Sequence, residues 1–224
     1  MTDKSATKPR SVFLVDDHPL VREGLVNLIG RQPDLKVCGD VGTSAAAFEA
    51  IMRLEPDIAI VDISLETGSG LELIKQIQAL ASPPPILVLS MHDEALYAER
   101  ALRAGARGYI MKRSASLHII DAIRQVLSGR LYMSEELAAR MAERFVGSRA
   151  RPGQSVMTLL SDREMEVFRL LGRGYETRRI AQELHLSPKT VGVYYGRIKE
   201  KFSLANATEL IREAVRWSEN EHRT

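Results

Sequence analysis

Apolar runs of four or five residues recur through the first half of the chain, each followed by a stretch whose apolar residues fall three and four apart. The runs are Val12-Phe13-Leu14-Val15, Ile58-Ala59-Ile60-Val61, Ile86-Leu87-Val88-Leu89 and Gly108-Tyr109-Ile110-Met111, and the mixed stretch Val37 to Val41 reads as a further short strand, second in chain order. Unbroken apolar residues mark strands buried on both faces. The intervening spacing predicts five helices: one opened by Pro19, one over 45–54, one through Leu71, Leu73, Ile74 and Ile77, one over 94–104 and one over 117–127. Pro83-Pro84-Pro85 breaks the chain before the fourth strand. Five such units predict a parallel sheet with helices on both faces.

Beyond residue 128 the pattern is helical only. Residues 134–146 form a predicted helix with Leu137, Met141 and Phe145 one turn apart, and Ser134 is its expected N-cap, with Glu135 and Glu136 in the first turn. Residues 147–155 carry no apolar pattern and read as a flexible tether. Leu160-Ser161-Asp162-Arg163-Glu164-Met165 then has capping-box spacing between Ser161 and Glu164 and staple spacing between Leu160 and Met165. A helix through Val167, Phe168 and Leu171 is followed by one over 177–184. A third starts at Ser187-Pro188 and runs through Val191, Tyr195, Ile198 and Phe202, and a fourth opens at Asn206. Two short helices, a brief turn and a basic helix suggest a helix-turn-helix.

In doubly wound sheets, ligands bind beyond the carboxyl ends of the strands. Those ends carry Asp16 and Asp17, Asp62, Ser90 and Lys112. Three carboxylates at one edge repel one another unless a divalent cation lies among them, and all-oxygen donors with room for water and phosphate suit Mg²⁺. A carboxylate is a competent nucleophile toward phosphorus, a lysine neutralises phosphoryl charge, and a hydroxyl bonds its oxygens.

Bulk composition limits the alternatives. With 224 residues and 27% charged side chains, the chain has room for two soluble domains. No apolar run is long enough to cross a bilayer, and the polar, basic first ten residues lack a secretory core, so a cytoplasmic location is expected. Cys38 is the single cysteine; it is expected to pack in a reducing compartment, with a reactive thiol as the alternative. Residues 1–128 hold 14 Lys+Arg against 16 Asp+Glu, and residues 158–224 hold 12 against 10. The mildly basic C-terminal part permits nucleic-acid binding without requiring it.

Residues 15–25 (Val15-Asp16-Asp17-His18-Pro19 through Leu25), Val61-Asp62-Ile63-Ser64-Leu65 and residues 104–112 (Ala104-Gly105-Ala106 through Tyr109-Ile110-Met111-Lys112) resemble the receiver domain of two-component response regulators. Leu160-Ser161-Asp162-Arg163-Glu164-Met165-Glu166-Val167, Ile180-Ala181-Gln182-Glu183-Leu184 and Leu186-Ser187-Pro188-Lys189-Thr190-Val191 resemble the LuxR-type DNA-binding domain. Together they resemble the NarL/FixJ class. The implied fold is α/β: a five-stranded parallel, doubly wound (flavodoxin/CheY-like) receiver sheet plus a C-terminal all-α four-helix helix-turn-helix domain. The implied organisation is a disordered N-terminus over 1–9, a receiver over 10–128, a linker over 129–157 and the DNA-binding domain over 158–221.

The resemblance implies that Asp62 accepts a phosphoryl group from a sensor histidine kinase. Asp16, Asp17 and Asp62 would hold Mg²⁺ together with the backbone carbonyl of Ser64. Ser90 and Lys112 would engage the phosphoryl oxygens, Tyr109 would change rotamer with Ser90, and Ser64 and His92 would tune the lifetime of the acyl phosphate. In the second domain, Lys189, Thr190, Val193, Tyr194, Arg197 and Lys201 are the expected contacts to double-stranded DNA, at an inverted repeat bound by a homodimer that phosphorylation favours. The chain departs from the family at Glu66, where proline is frequent, and at Gly192, Gly196 and Tyr194, where basic or polar base-reading residues and histidine are common. The protein is expected not to be an enzyme. The alternatives are an aspartate-nucleophile phosphohydrolase, which commonly needs a second acid where Ser64 stands, and a receiver whose C-terminal bundle binds protein or RNA.

Overall fold

β1 (Arg10–Val15), β2 (Leu35–Val41), β3 (Ile58–Asp62), β4 (Ile86–Ser90) and β5 (Gly108–Met111) form one parallel sheet in the order β2-β1-β3-β4-β5. The structure, a computed structural model, describes residues 8–65, 69–91, 94–146, 160–184 and 186–221. These fall into two compact units, one ending with the linker helix and one holding the helices from residue 160 onward. Among the described residues, no helix is long and apolar enough to cross a membrane.

The five-stranded α/β sheet and C-terminal helical unit are as the apolar pattern predicts. β3 and β4 are buried at every position, which is why their sequences run apolar without alternation. Val12, Leu14, Ile58, Ile60, Leu87 and Leu89 face α1 (Pro19–Gly30) and α5 (Lys112–Leu127), packing on Leu25, Ile29, Ile119 and Ile123. The alternate residues Phe13, Val15, Ala59, Val61 and Val88 are equally buried, and the period of two turns them to the other face. There α2 (Ser44–Leu54), α3 (Gly70–Gln78) and α4 (Glu94–Ala104) complete the layer. Chain order reverses between β1 and β3, so the crevice for a ligand opens at their carboxyl ends.

Three local differences have physical causes. β2 slips by one residue against β1, where Val12 pairs Val37 but Phe13 pairs Gly39. Cys38 is the residue skipped by this bulge; it is half-buried, with Sγ 3.4 Å from the Val12 carbonyl, and burial raises its thiol pKa. α5 begins at Lys112, directly after β5, and not near 117. Its first turn, Lys112-Arg113-Ser114-Ala115, offers only the small Ala115 to the core, too little to show as periodicity. Beyond α5, Tyr132 pairs with the free edge of β5 through reciprocal backbone bonds of 3.0 Å to Arg107 and Tyr109. This covers an otherwise open strand edge. Ser134 Oγ accepts from the Leu137 amide and caps α6 (Glu135–Val146).

The second unit packs α7 (Asp162–Gly172), α8 (Thr177–Glu183), α9 (Pro188–Phe202) and α10 (Ala207–Glu221). The predicted capping box is present: Ser161 Oγ accepts from the Glu164 amide, while Glu164 Oε2 accepts from the Ser161 amide. Phe168 is buried between the Phe202 and Trp217 rings, with centroids 5.5 and 5.8 Å away. Asn206 lies outside α10 and caps it through the Glu209 amide. Gly172 is where α7 and α10 touch backbone to backbone. A Cβ there would run into the Ala214 carbonyl oxygen and lie 3.2 Å from Ser218 Cβ. Main chain cannot rotate away, so Gly172→Ala is expected to destabilise this unit by about 1–3 kcal/mol. An unchanged or higher thermal midpoint would contradict the close approach.

The expected flexible tether, like most of the disordered N-terminus predicted over 1–9, lies outside the described residues, as do Glu66 and His92.

Candidate functional site: a carboxylate–lysine cluster at the sheet edge

β1 and β3 are neighbours in register, with Val15 opposite Val61, so Asp16 and Asp62 emerge side by side from the sheet. Both are buried, each with 2% of its surface exposed. β5 ends at Met111, one strand beyond β4, and delivers Lys112 across the same edge. Its ammonium lies 2.6 Å from Asp16 Oδ2 and 2.7 Å from Asp62 Oδ2. Backbone amides complete the shell: His18 N donates to Asp16 Oδ1 at 2.9 Å, and Ser64 N donates to Asp62 Oδ1 at 3.1 Å.

Burial pushes the Asp62 carboxyl up to about 6; Lys112 opposes that rise and the neighbouring Asp16 adds to it. Burial alone would depress the Lys112 ammonium, but the Asp62 and Asp16 carboxylates outweigh it and the net shift is upward. One lysine thus serves two buried acids, with Asp17 and His18 beside them, and the three carboxylates outnumber the one ammonium.

Ligand atoms of Asp16, Asp17, His18 and Asp62 lie within 4.8 Å of one another. That oxygen-rich donor set, with charge left over after Lys112, fits a hard divalent cation. Ser90 ends β4 fully buried, paired in register with Met111, the residue before Lys112. Tyr109, opposite Val88, is turned inward and buried. The structure therefore brings Asp16, Asp17, Asp62, Ser64, Ser90 and Lys112 to one edge, with Tyr109 two register positions inside the Ser90–Met111 pair.

In the second unit, α8 and α9 form the helix-turn-helix. Lys189, Val193 and Arg197 are exposed along α9, Thr190 and Tyr194 are half-buried, and the Arg197 guanidinium lies over the Tyr194 ring at 5.9 Å. Open space surrounds Gly192 and Gly196, so neither glycine is demanded by packing within the unit.

Two family comparisons cover most of the chain. Residues 12–124 match the family described as response regulator receiver domain, and residues 158–214 match the bacterial regulatory proteins of the luxR family. The transcriptional regulatory protein UhpA of Escherichia coli (strain K12) is 36% identical over 202 residues, 90% of this chain and 96% of its own length. This chain belongs to the response regulators with a LuxR-type DNA-binding domain. The DNA-binding transcriptional activator DevR/DosR of Mycobacterium tuberculosis (strain ATCC 25618 / H37Rv) is a second relative of the regulator, 33% identical over 88% of this chain and 90% of that protein. A solved structure of two RcsB dimers bound to two parallel DNAs is 25% identical, with a TM-score of 0.57, covering 92% of this chain and 97% of that one.

Three residues of the regulator were not singled out for this site by sequence. His18 enters the cluster, its Nδ1 2.6 Å from Asp17 Oδ1 and 3.3 Å from Asp16 Oδ1. Gly70 opens α3 against the site, since a Cβ there would run into the Asp62 carbonyl oxygen. Arg22 reaches back from α1 to the Asp16 carbonyl. One expected DNA contact is committed elsewhere. Lys201 Nζ lies 2.5 Å from Oε2 of the buried Glu164, tying the end of α9 to the start of α7. Burial would raise the Glu164 carboxyl, but Lys201 and the Ser161 groups hold it below its usual value. Tyr195, one residue on from Tyr194, hydrogen-bonds Thr177 Oγ1 at 3.4 Å and braces α8 against α9.

Proposed function

We propose that the regulator is a transcription factor switched by phosphorylation of Asp62. One observation carries this: a buried, strand-terminal carboxylate in contact with Lys112, beside an acidic pair, on the same chain as a helix-turn-helix. An Asp62 carboxylate oxygen attacks the phosphorus of a phosphohistidine on a sensor histidine kinase. The P–N bond breaks, its electron pair stays on the imidazole nitrogen, a solvent proton replaces the phosphoryl group there, and an acyl phosphate forms on Asp62.

Asp16, Asp17, Asp62 and the Ser64 carbonyl would hold Mg²⁺, which when bound withdraws charge from the phosphoryl oxygens. Lys112 leaves its contact with the Asp62 oxygen to pair with the new phosphoryl group, and the Ser90 hydroxyl donates to it. Movement of Ser90 opens room for the Tyr109 ring, re-biasing the α4–β5–α5 surface toward a homodimer that matches an inverted repeat in double-stranded DNA. Ser64 and His92 set how long the acyl phosphate lasts. Ser64 occupies the place of the second acid that aspartate-nucleophile phosphohydrolases commonly need. Incorporation is therefore stoichiometric and not catalytic, and the regulator is no enzyme. Its work is cytoplasmic, where kinase and DNA meet.

The test is duplex affinity of wild-type protein and Asp62→Asn, with and without beryllofluoride. The reagent is expected to change affinity only in the wild type; an equal change in both would remove Asp62 from the switch. For the DNA face, Lys189, Thr190, Val193, Tyr194 and Arg197 are the proposed contacts. Lys189→Ala and Arg197→Ala are each expected to weaken duplex binding and to reduce the slope of log affinity against log salt by about 1. Lys201→Ala should instead lower the stability of the C-terminal unit, because it strips the buried Glu164 of its cation. A salt slope changed by Lys201→Ala with stability intact would reverse that assignment.

A further inference from the structure

We infer that Arg22 is a positioning residue for the cation site: its guanidinium locks the peptide joining Asp16 to Asp17, so that both carboxylates are presented to one ion. The inference deepens the reading above and rests on it. Arg22 closes the first turn of α1 and is not itself among the residues whose ligand atoms cluster at the site. Its Nη1 donates to the main-chain carbonyl of Asp16 at 2.5 Å, while its Nε donates to Asp40 Oδ1, on β2, at 2.9 Å. The other side of Asp16 is held as well, its amide donating to the Val41 carbonyl at 3.1 Å. The turn after β2 closes over the same peptide. A Cβ on Gly42 would lie 3.5 Å from Arg22 Nη1, 3.7 Å from the Asp16 carbonyl oxygen and 3.7 Å from Asp17 Cα.

Asp16 is thus bound at both its amide and its carbonyl before any ligand arrives. The carbonyl bond matters for direction. If the Asp16–Asp17 peptide were to rotate, the Asp17 Cα would swing with it, and the two carboxylates would no longer converge. Charge-assisted bonds to a planar guanidinium hold such an orientation better than a neutral donor. The Arg22 side chain is 19% exposed against 43% for Asp40, so the Asp40 end faces water and the Asp16 end is the sheltered one.

The competing role is a plain tether of α1 to β2, and Asp40 separates the two. Asp40→Ala loses the tether but leaves the carbonyl bond; Arg22→Ala loses both. In full-length protein, Mg²⁺ binding is measured by titration calorimetry and stability by urea unfolding in EDTA. Arg22→Ala is expected to raise the Mg²⁺ dissociation constant by roughly 10- to 100-fold, the range for partners that orient metal ligands. Asp40→Ala should stay close to wild type in Mg²⁺ affinity, and Arg22→Lys, whose ammonium reaches one acceptor, should fall between. The slowed acetyl phosphate reaction of Arg22→Ala should recover at saturating Mg²⁺, which a folding defect would not do. Equal Mg²⁺ affinities for Arg22→Ala and Asp40→Ala, or a deficit in Arg22→Lys as large as in Arg22→Ala, overturn the inference. Failure of the wild-type protein itself to bind Mg²⁺ would sink the underlying reading instead.

Discussion

Asp62→Asn is expected to abolish phosphoryl acceptance and, in metal-free protein near pH 7.5, to raise stability by about 1–3 kcal/mol. The two effects have one origin. Asp62 lies in a buried site where a single ammonium faces both it and Asp16, and burial pushes its carboxyl to about 6 from an ordinary 3.8. Each pKa unit corresponds to about 1.4 kcal/mol of preference for the protonated form. The folded pKa lies above the unfolded one, so the folded state binds the proton more tightly. Stability linked to this group is therefore full at acid pH and is lost as pH rises through about 6. Asparagine has no proton to lose and escapes that loss. Urea unfolding in EDTA should show the gap between variant and wild type at pH 7.5 and its narrowing by pH 5, while intact-mass analysis after acetyl phosphate treatment should show no adduct on the variant. A gap that is absent at pH 7.5, or unchanged at pH 5, would mean that the buried charge carries no such cost. The folded state thus carries an electrostatic cost at the residue the proposed chemistry uses, and a cation held by Asp16, Asp17 and Asp62 would offset it.

Strand positions were legible because burial on both faces leaves an unmistakable apolar run: β3 and β4 fall where Ile58-Ala59-Ile60-Val61 and Ile86-Leu87-Val88-Leu89 place them. The convergence of Asp16, Asp62 and Lys112 was legible for a related reason, since in a parallel sheet every strand delivers its last residue to the same edge. What pattern cannot report is a distance across elements. Arg22 looks like any solvent-facing arginine on an amphipathic helix, and only the approach of β2 beside β1 gives it Asp40 and the Asp16 carbonyl together. Lys201 shows the same limit from the other side. A basic residue late in a recognition helix suggests phosphate, yet the capping carboxylate of Glu164 lies within its reach because α7 packs on α9. The first turn of α5 was missed because Lys112 and Arg113 start a helix whose early residues serve the site and not the core.

Lys112→Ala is expected to cost about 3–5 kcal/mol in metal-free protein, the usual penalty for removing one partner of a buried ion pair. Its ammonium, in a side chain 8% exposed, lies 2.6 Å from Asp16 Oδ2 and 2.7 Å from Asp62 Oδ2, and both of those carboxylates are buried. Local helix preference works against the loss, because alanine is the better helix former and a cation at the first position of α5 opposes the helix dipole. Helix preference therefore cannot be the source of any destabilisation observed, and slightly masks it. Two further measurements identify the cause. Millimolar Mg²⁺ should restore part of the lost stability, since a divalent cation among Asp16, Asp17 and Asp62 replaces the missing positive charge. In the Asp62→Asn background, Lys112→Ala should cost less than it does alone, by about 1–3 kcal/mol of coupling. Equal costs in the two backgrounds would show that Lys112 stabilises by packing its methylene chain, and the electrostatic account of the site would lose its central pair.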